Sequence, residues 1–302
     1  MNICILSISY GLGFVCNFLA LIVFSTSAEF RRISTGFLFL LMTIFNFFHL
    51  CSLTIDFLYT CGYDLFSNRF FRYHWHLFSE NLTRSMSTYL SVGIAIDRFL
   101  RSEFPLRART FCTRKKTLIL ILIILLVLIL YWSFYLFLFP NQNSSHKFFI
   151  NNISIPLRSV LFCFLPIILM ILANIRMIYN IRQAHNRIND VAQNNEPYRS
   201  SAIVSSTISG ANNVRRILAV DRMLVYMLVS NILTFILTQI PFHIYSIIRY
   251  HIETFDDETH ALIQAFLLIW SSIYFGIAFY LYCLASTLFR KKFIRIMKRI
   301  LS

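Results

Sequence analysis

Charge is scarce in this chain, and acidic charge scarcer still: 14% of its 302 residues are Asp, Glu, Lys or Arg, with 13 acidic residues against 28 basic ones. An ordinary soluble domain carries about 25% charged residues, so a water-soluble globule is excluded. Glycine (7) and proline (6) are also sparse, which excludes collagen-like, disordered and glycine-punctuated β architectures. The cysteines at 4, 16, 51, 61, 112, 163 and 283 form no C-x-x-C or Cys/His cluster. Neither zinc nor redox chemistry is therefore expected, and no cofactor, metal or catalytic group is assigned. Cys4 and Cys61 alone fall near the same surface, where a bridge or two unpaired thiols are both open readings.

What the chain has instead is apolar bulk: 57% of residues are hydrophobic and 32 are Phe. A membrane span needs about 20 apolar residues. Stretches free of Asp, Glu, Lys and Arg run over 1–28, 33–55, 117–146, 159–175, 223–248 and 259–289. With a seventh, weaker span added, the expected spans are 3–26, 35–60, 75–97, 117–139, 156–181, 219–248 and 260–284. Lipid offers no partner for backbone groups, and no alternating barrel pattern is present, so the fold class is an all-α bundle. The connection 182–218 is polar and Ser-rich and is expected to be a flexible loop, with Arg215, Arg216 and Arg222 on an inward extension of the next helix.

A net charge of +15 in a soluble protein suggests nucleic acid, but here the location of the charge decides. Seven spans put 22 of the 28 Lys and Arg on one side, in 27–34, 97–116, 176–222 and 290–302. By the positive-inside rule that side is cytoplasmic and the N-terminus extracellular. The partner is then the lipid bilayer and not nucleic acid. Two sequons, at Asn143 and Asn152, fall in the loop assigned to the outside. Residues 287–300 repeat apolar side chains at Phe289, Phe293, Ile296, Met297 and Ile300 between basic ones, the pattern of an amphipathic helix on an anionic membrane surface.

The weakest span carries the most information. Its charge-free core is only 85–96, yet Glu80, Arg84, Ser87, Thr88 and Ser91 recur at i, i+4, i+7, i+8 and i+11 and draw one polar stripe along a helix. Such a helix belongs at the centre of a bundle. Glu80 and Arg84 stand one turn apart in the favourable order for an intrahelical pair, and Asp56 of the second span is a competing partner for Arg84. These charges serve either a structural network or direct ligand contact. His49 and His243 are single histidines on apolar helices, without a neighbouring nucleophile or metal spacing, so an intramembrane enzyme is not indicated. No repeat or pore-lining ring is visible, which disfavours a transporter or channel.

Several motifs stand in register. The third span ends in Asp97-Arg98-Phe99, and Pro105 follows Arg98 by seven residues. Asn17 precedes Val23 by six in the first span, Pro166 lies in the fifth, and Thr238-Gln239-Ile240-Pro241 in the sixth. Ala278-Phe279-Tyr280-Leu281-Tyr282 is in the seventh, with Phe289 seven residues beyond Tyr282. Over essentially its whole length the chain resembles the rhodopsin-like (class A) G-protein-coupled receptors, in a divergent form similar to the peptide receptors. It departs from them at Asn46 (in place of Asp), Gln239 (in place of Trp) and in the seventh-span motif, of which Tyr282 remains. The usual outer disulfide is missing. A neutral amide at 46 lacks the charge that would hold the family's sodium ion. Residues 259–289 contain no Lys, which excludes a retinal Schiff base.

What the resemblance implies is a plasma-membrane receptor that passes an extracellular signal to heterotrimeric G proteins through Asp97, Arg98, Phe99, Pro241 and Tyr282. Asp97 would pair with Arg98 at rest, Pro241 would serve as the pivot of the sixth helix, and the ligand candidates are Asp56, Glu80, Arg84, Thr88, Gln239 and His243. Glu253, Asp256, Asp257 and Glu258 make the third outer loop acidic, which suits a basic, neuropeptide-like ligand. A small amine is the alternative.

Overall fold

A computed structural model of the chain describes residues 2–27, 34–63, 74, 76–138, 153–194, 204–249, 256–285 and 287–301. Among these residues the regular elements are all helical. Helices α1 (Asn2–Thr26), α2 (Ser34–Thr60) and α3 (His76–Glu103) fall on the first three expected spans. The short α4 (Pro105–Phe111) leads to α5 (Arg114–Leu138), the fourth. The fifth is α6 (Ile155–Ser159), a π-helical turn (Val160–Phe164) and α7 (Leu165–Asn194). Helices α8 (Val204–Ile248) and α9 (Asp257–Ala285) are the sixth and seventh, and α10 (Thr287–Leu301) follows.

Apolar residues on the outer faces show what surrounds the bundle. On α5, Ile121, Leu128 and Trp132 point inward, whereas Leu118, Ile119, Leu122, Ile123, Leu126, Val127, Leu130 and Phe134 are exposed. So large an exposed apolar surface is stable only in hydrocarbon. Among the described residues, five helical segments are long and apolar enough to cross a membrane: Ser34–Tyr59, Arg114–Phe134, Ile155–Gln183, Tyr226–Ile248 and Glu258–Ile277. Helix α3 is not one of them, because its polar stripe lowers its hydropathy. That stripe faces inward: Thr83, Ser85, Ser87, Thr88, Ser91 and Asp97 are buried. Helix α3 packs on α2, α5 and α7, while α1 touches α2 and α9 and α8 touches α7 and α9, so the ring closes around a polar centre.

Close approach is set locally. A Cβ on Gly13 would come within 2.9 Å of Leu50 and 3.2 Å of the Gly276 Cα, so glycine there lets α1, α2 and α9 pack backbone to backbone. Helix α2 stops at Gly62, whose φ of +92° turns the chain away. Pro105 sits in the first turn of α4, where its missing N–H costs no bond. In the π turn, bonds run from each carbonyl to the N–H five residues on, and the fifth residue after Leu161 is Pro166. The orphaned Leu161 carbonyl accepts the Tyr89 hydroxyl of α3 at 3.0 Å instead.

One expectation changes. The segment 182–218 is mostly helical: α7 continues to Asn194 and α8 begins at Val204, because no proline interrupts either run and a helix leaving the bilayer keeps its own hydrogen bonds. Of the two readings open for Cys61, the structure shows the free thiol. Asn143 and Asn152 lie outside the described residues. In α10, Phe289 is fully buried against Phe24 and Tyr282, and Phe293 and Ile296 pack on the same core, while Arg290, Lys291, Arg295, Lys298 and Arg299 are exposed.

Candidate functional site

At the end of the bundle away from the basic segments, Glu80 and Arg84 meet one turn apart at 3.5 Å, both nearly buried. Arg84 also reaches the Ser271 hydroxyl of α9 at 3.5 Å and lies 5.3 Å over the Phe242 ring of α8. Gln239 donates to the Ser271 carbonyl at 2.8 Å. Glu80, Arg84 and Gln239 thus gather around Ser271. His243, beside Phe242, shares a hydrogen bond of 3.2 Å with Ser159 of α6. Thr88 turns away from this group and donates to the Arg84 carbonyl on its own helix. Asp56 is half-buried on α2, and together with Glu80 and Arg84 it acts electrostatically on Tyr10 of α1.

Below this lies a polar core. The Ser87 hydroxyl donates to the Asn46 side-chain oxygen, and Asn17 donates to the carbonyls of Gly13 (2.9 Å) and Phe275 (2.8 Å). Tyr274 of α9 hydrogen-bonds Ser91 at 2.8 Å and receives the Asn231 amide of α8 at 3.3 Å. The His49 ring contacts Thr83 at 3.2 Å and packs on Phe275. Trp132 of α5 donates to Ser85 at 3.1 Å. Apart from the bond to Gly13, which stays within α1, these bonds cross between helices where lipid and packed side chains exclude water, and together they fix the register of the bundle. Among the described residues no three His, Cys, Asp or Glu side chains converge as metal ligands.

At the basic end, Asp97 is buried and heavily held. Ser34 and Thr35 of α2 donate to its two oxygens, and Arg101 pairs with it at 3.0 Å. Arg101 reaches on to Ser34 (2.7 Å) and the Cys112 carbonyl (3.2 Å), tying α3 to α2 and to the segment after α4. The motif pointed to Arg98; the ion pair described at this carboxylate is with Arg101, one turn further on. Arg98 and Phe99 are half-buried beside it. Glu103 caps the same end. A hydrogen bond from Asn180 of α7 holds its carboxyl below the usual range, opposed by burial and aided by Arg176 at 3.4 Å.

Tyr282 sits fully buried between Phe24, Phe39 and Phe289, and its hydroxyl has no hydrogen-bond partner among the described residues. An unpaired buried hydroxyl costs about 1–3 kcal/mol. Tyr282→Phe is therefore expected to raise the thermal midpoint of the protein. A melting assay checks this, and a lowered midpoint contradicts it.

Several of these residues were not singled out from sequence. Arg101 was available through its i,i+4 spacing from Asp97, and Ser271 as half of a Ser271-Ser272 pair inside an apolar span. Ser34 and Thr35 gave no such signal.

Apolar rims around a polar central rod, with an ion pair at each end of that rod, define a multi-pass helical membrane protein. The model of one family, described as 7 transmembrane receptor (rhodopsin family), matches residues 16–276, and the chain belongs to that family. The fold is accordingly a seven-transmembrane helix bundle with an amphipathic C-terminal helix, and the protein is a G-protein-coupled receptor. A search of curated proteins finds no match to the chain.

Proposed function

We propose that this receptor conveys an extracellular peptide signal of the neuropeptide kind across the plasma membrane to heterotrimeric G proteins, with its N-terminus outside and its C-terminus in the cytosol. The observation that carries the reading is the double-ended character of α3. One helix bears the Glu80–Arg84 pair, in contact with α8 and α9, and also the Asp97 cluster, in contact with α2 and the chain after α4. A ligand that engages the first and favours one arrangement of α8 and α9 biases the second. Sidedness follows from the basic segments at the Asp97 end.

A peptide fits better than an amine. The Glu80 carboxylate is already neutralised by Arg84, which leaves little field for a single small cation. Asp256 and Glu258, exposed at the start of α9, give an acidic rim that steers and pairs a basic chain. The test is a library of basic peptides and biogenic amines applied to the expressed chain with a promiscuous G-protein reporter, in wild type and Glu80→Gln. Peptide responses are expected, with potency lowered about ten-fold or more by Glu80→Gln, since a hydrogen bond to a charged group contributes about 1.5–3 kcal/mol. Responses to amines alone, or unchanged peptide potency at equal surface expression, overturn the reading.

A further inference from the structure

From mid-bundle toward the basic end, a cavity of about 410 Å³ opens between α3, α5 and the chain around α4. Met86, Leu90, Ile96, Leu120, Ile121 and Ile124 form its walls. Gly93 leaves room on the α3 side: a Cβ there would meet only Leu38, itself a lining residue, at 3.7 Å. Ile96 and Leu120 are 39% and 54% exposed on the outer, lipid-facing surface of the bundle, so the cavity is reached from the bilayer.

Its polar groups are few and lie toward the basic end. Asp97 borders it, but both Asp97 oxygens are taken by Ser34, Thr35 and Arg101. Lys116 is the charged group with donors to spare. It is exposed, donates one hydrogen bond to the Thr110 carbonyl at 2.9 Å and lies 5.0 Å over the Phe111 ring, whereas an ammonium has three donors. Arg114 and Lys115 stand exposed beside it at the start of α5. An apolar chamber that opens to hydrocarbon, with a cluster of cations at its headgroup-level mouth, matches one class of molecule.

We propose that this cavity binds one acyl chain of an anionic phospholipid of the adjoining leaflet, with the phosphate held by Lys116. The volume lies within the range of small-ligand sites, and the lining is almost wholly apolar. The occupant shares a wall with Asp97 and Cys112, which are themselves joined through Arg101, so a bound chain braces that cluster from the membrane side. The site is independent of the identity of the extracellular ligand and of the G-protein reading.

The test uses the full chain in nanodiscs of phosphatidylcholine doped with phosphatidylserine of the same acyl composition, followed by native mass spectrometry. Wild type is expected to retain one phosphatidylserine in preference to phosphatidylcholine. Gly93→Leu fills the chamber and is expected to abolish retention. Lys116→Gln keeps the chamber, and its preference for the anionic lipid should fall about five-fold, the effect of one basic residue near an anionic surface. In wild type, a phosphatidylserine with a diazirine in its acyl chain should label Ile96, Leu120 or Ile124, a result that needs no variant. Labelling elsewhere, equal retention in Gly93→Leu, or displacement by free fatty acid with no phospholipid retained overturns the proposal.

Discussion

Replacing Arg98 by alanine is expected to abolish receptor-stimulated nucleotide exchange on G proteins while leaving surface expression intact. The structure gives the reason for the selectivity. The load at this end of the bundle is borne by Asp97, which gathers Ser34, Thr35 and Arg101 and, through Arg101, the Cys112 carbonyl. Those bonds are made by the Asp97 and Arg101 side chains, and both remain in place when Arg98 is replaced. A guanidinium that meets a docked G protein is suited to bonding with its carbonyls and carboxylates, and alanine supplies none of that. Asp97→Asn should do the reverse. It keeps the shape but removes the charge that pairs Arg101, and it leaves an amide that can no longer accept at both positions from Ser34 and Thr35. Basal exchange should then rise, because the contacts between α3, α2 and the chain after α4 weaken together. Cell-surface labelling alongside guanine-nucleotide exchange distinguishes these outcomes. Normal exchange in Arg98→Ala, or loss of both exchange and expression, counts against a dedicated coupling role.

How much of this was legible in the sequence depends on the range over which each interaction acts. Spans announce themselves because hydrocarbon forbids charge over about 20 consecutive residues, and α3 was found by the opposite sign, its regular polar stripe. The Glu80–Arg84 pair was readable because i,i+4 spacing fixes it within one helix. Arg101 obeys the same spacing from Asp97, yet the adjacent Arg98 drew the motif reading to itself. Ser34 and Thr35 lie 62–63 residues from Asp97, and Ser271 lies 187 from Arg84. Small hydroxyl residues in apolar helices carry no marker of their distant partners, so even the visible Ser271-Ser272 pair did not show what it meets. The length of α7 and α8 beyond the bilayer was missed for a related reason. Polar, Ser-rich composition indicates solvent exposure, and a helix that projects into water is exposed as well.

The second large effect is expected at Trp270, and it follows from what Pro241 removes. Proline has no N–H, so the carbonyl four residues before it, that of Leu237, loses its helical donor. The indole N–H of Trp270 on α9 supplies a replacement at 2.9 Å. Two residues further along α8, Gln239 donates to the carbonyl of Ser271, the neighbour of Trp270. Helices α8 and α9 are thus cross-linked through backbone carbonyls next to Pro241, on segments apolar enough to lie in the membrane. Hydrocarbon provides no water to take over an abandoned carbonyl, so the loss is felt in full. Trp270→Phe should cost about 1–3 kcal/mol of stability, the penalty of leaving one acceptor unpaired away from water, and should raise basal exchange by loosening the pivot. Pro241→Ala restores an N–H for Leu237 and makes the indole redundant. The two substitutions must therefore fail to add: in the background of Pro241→Ala, Trp270→Phe should cost less by a coupling energy of about 0.5–3 kcal/mol in a thermal-stability cycle. If the two effects sum within error, the indole is merely packed beside Pro241, and this bond does not hold the proposed pivot.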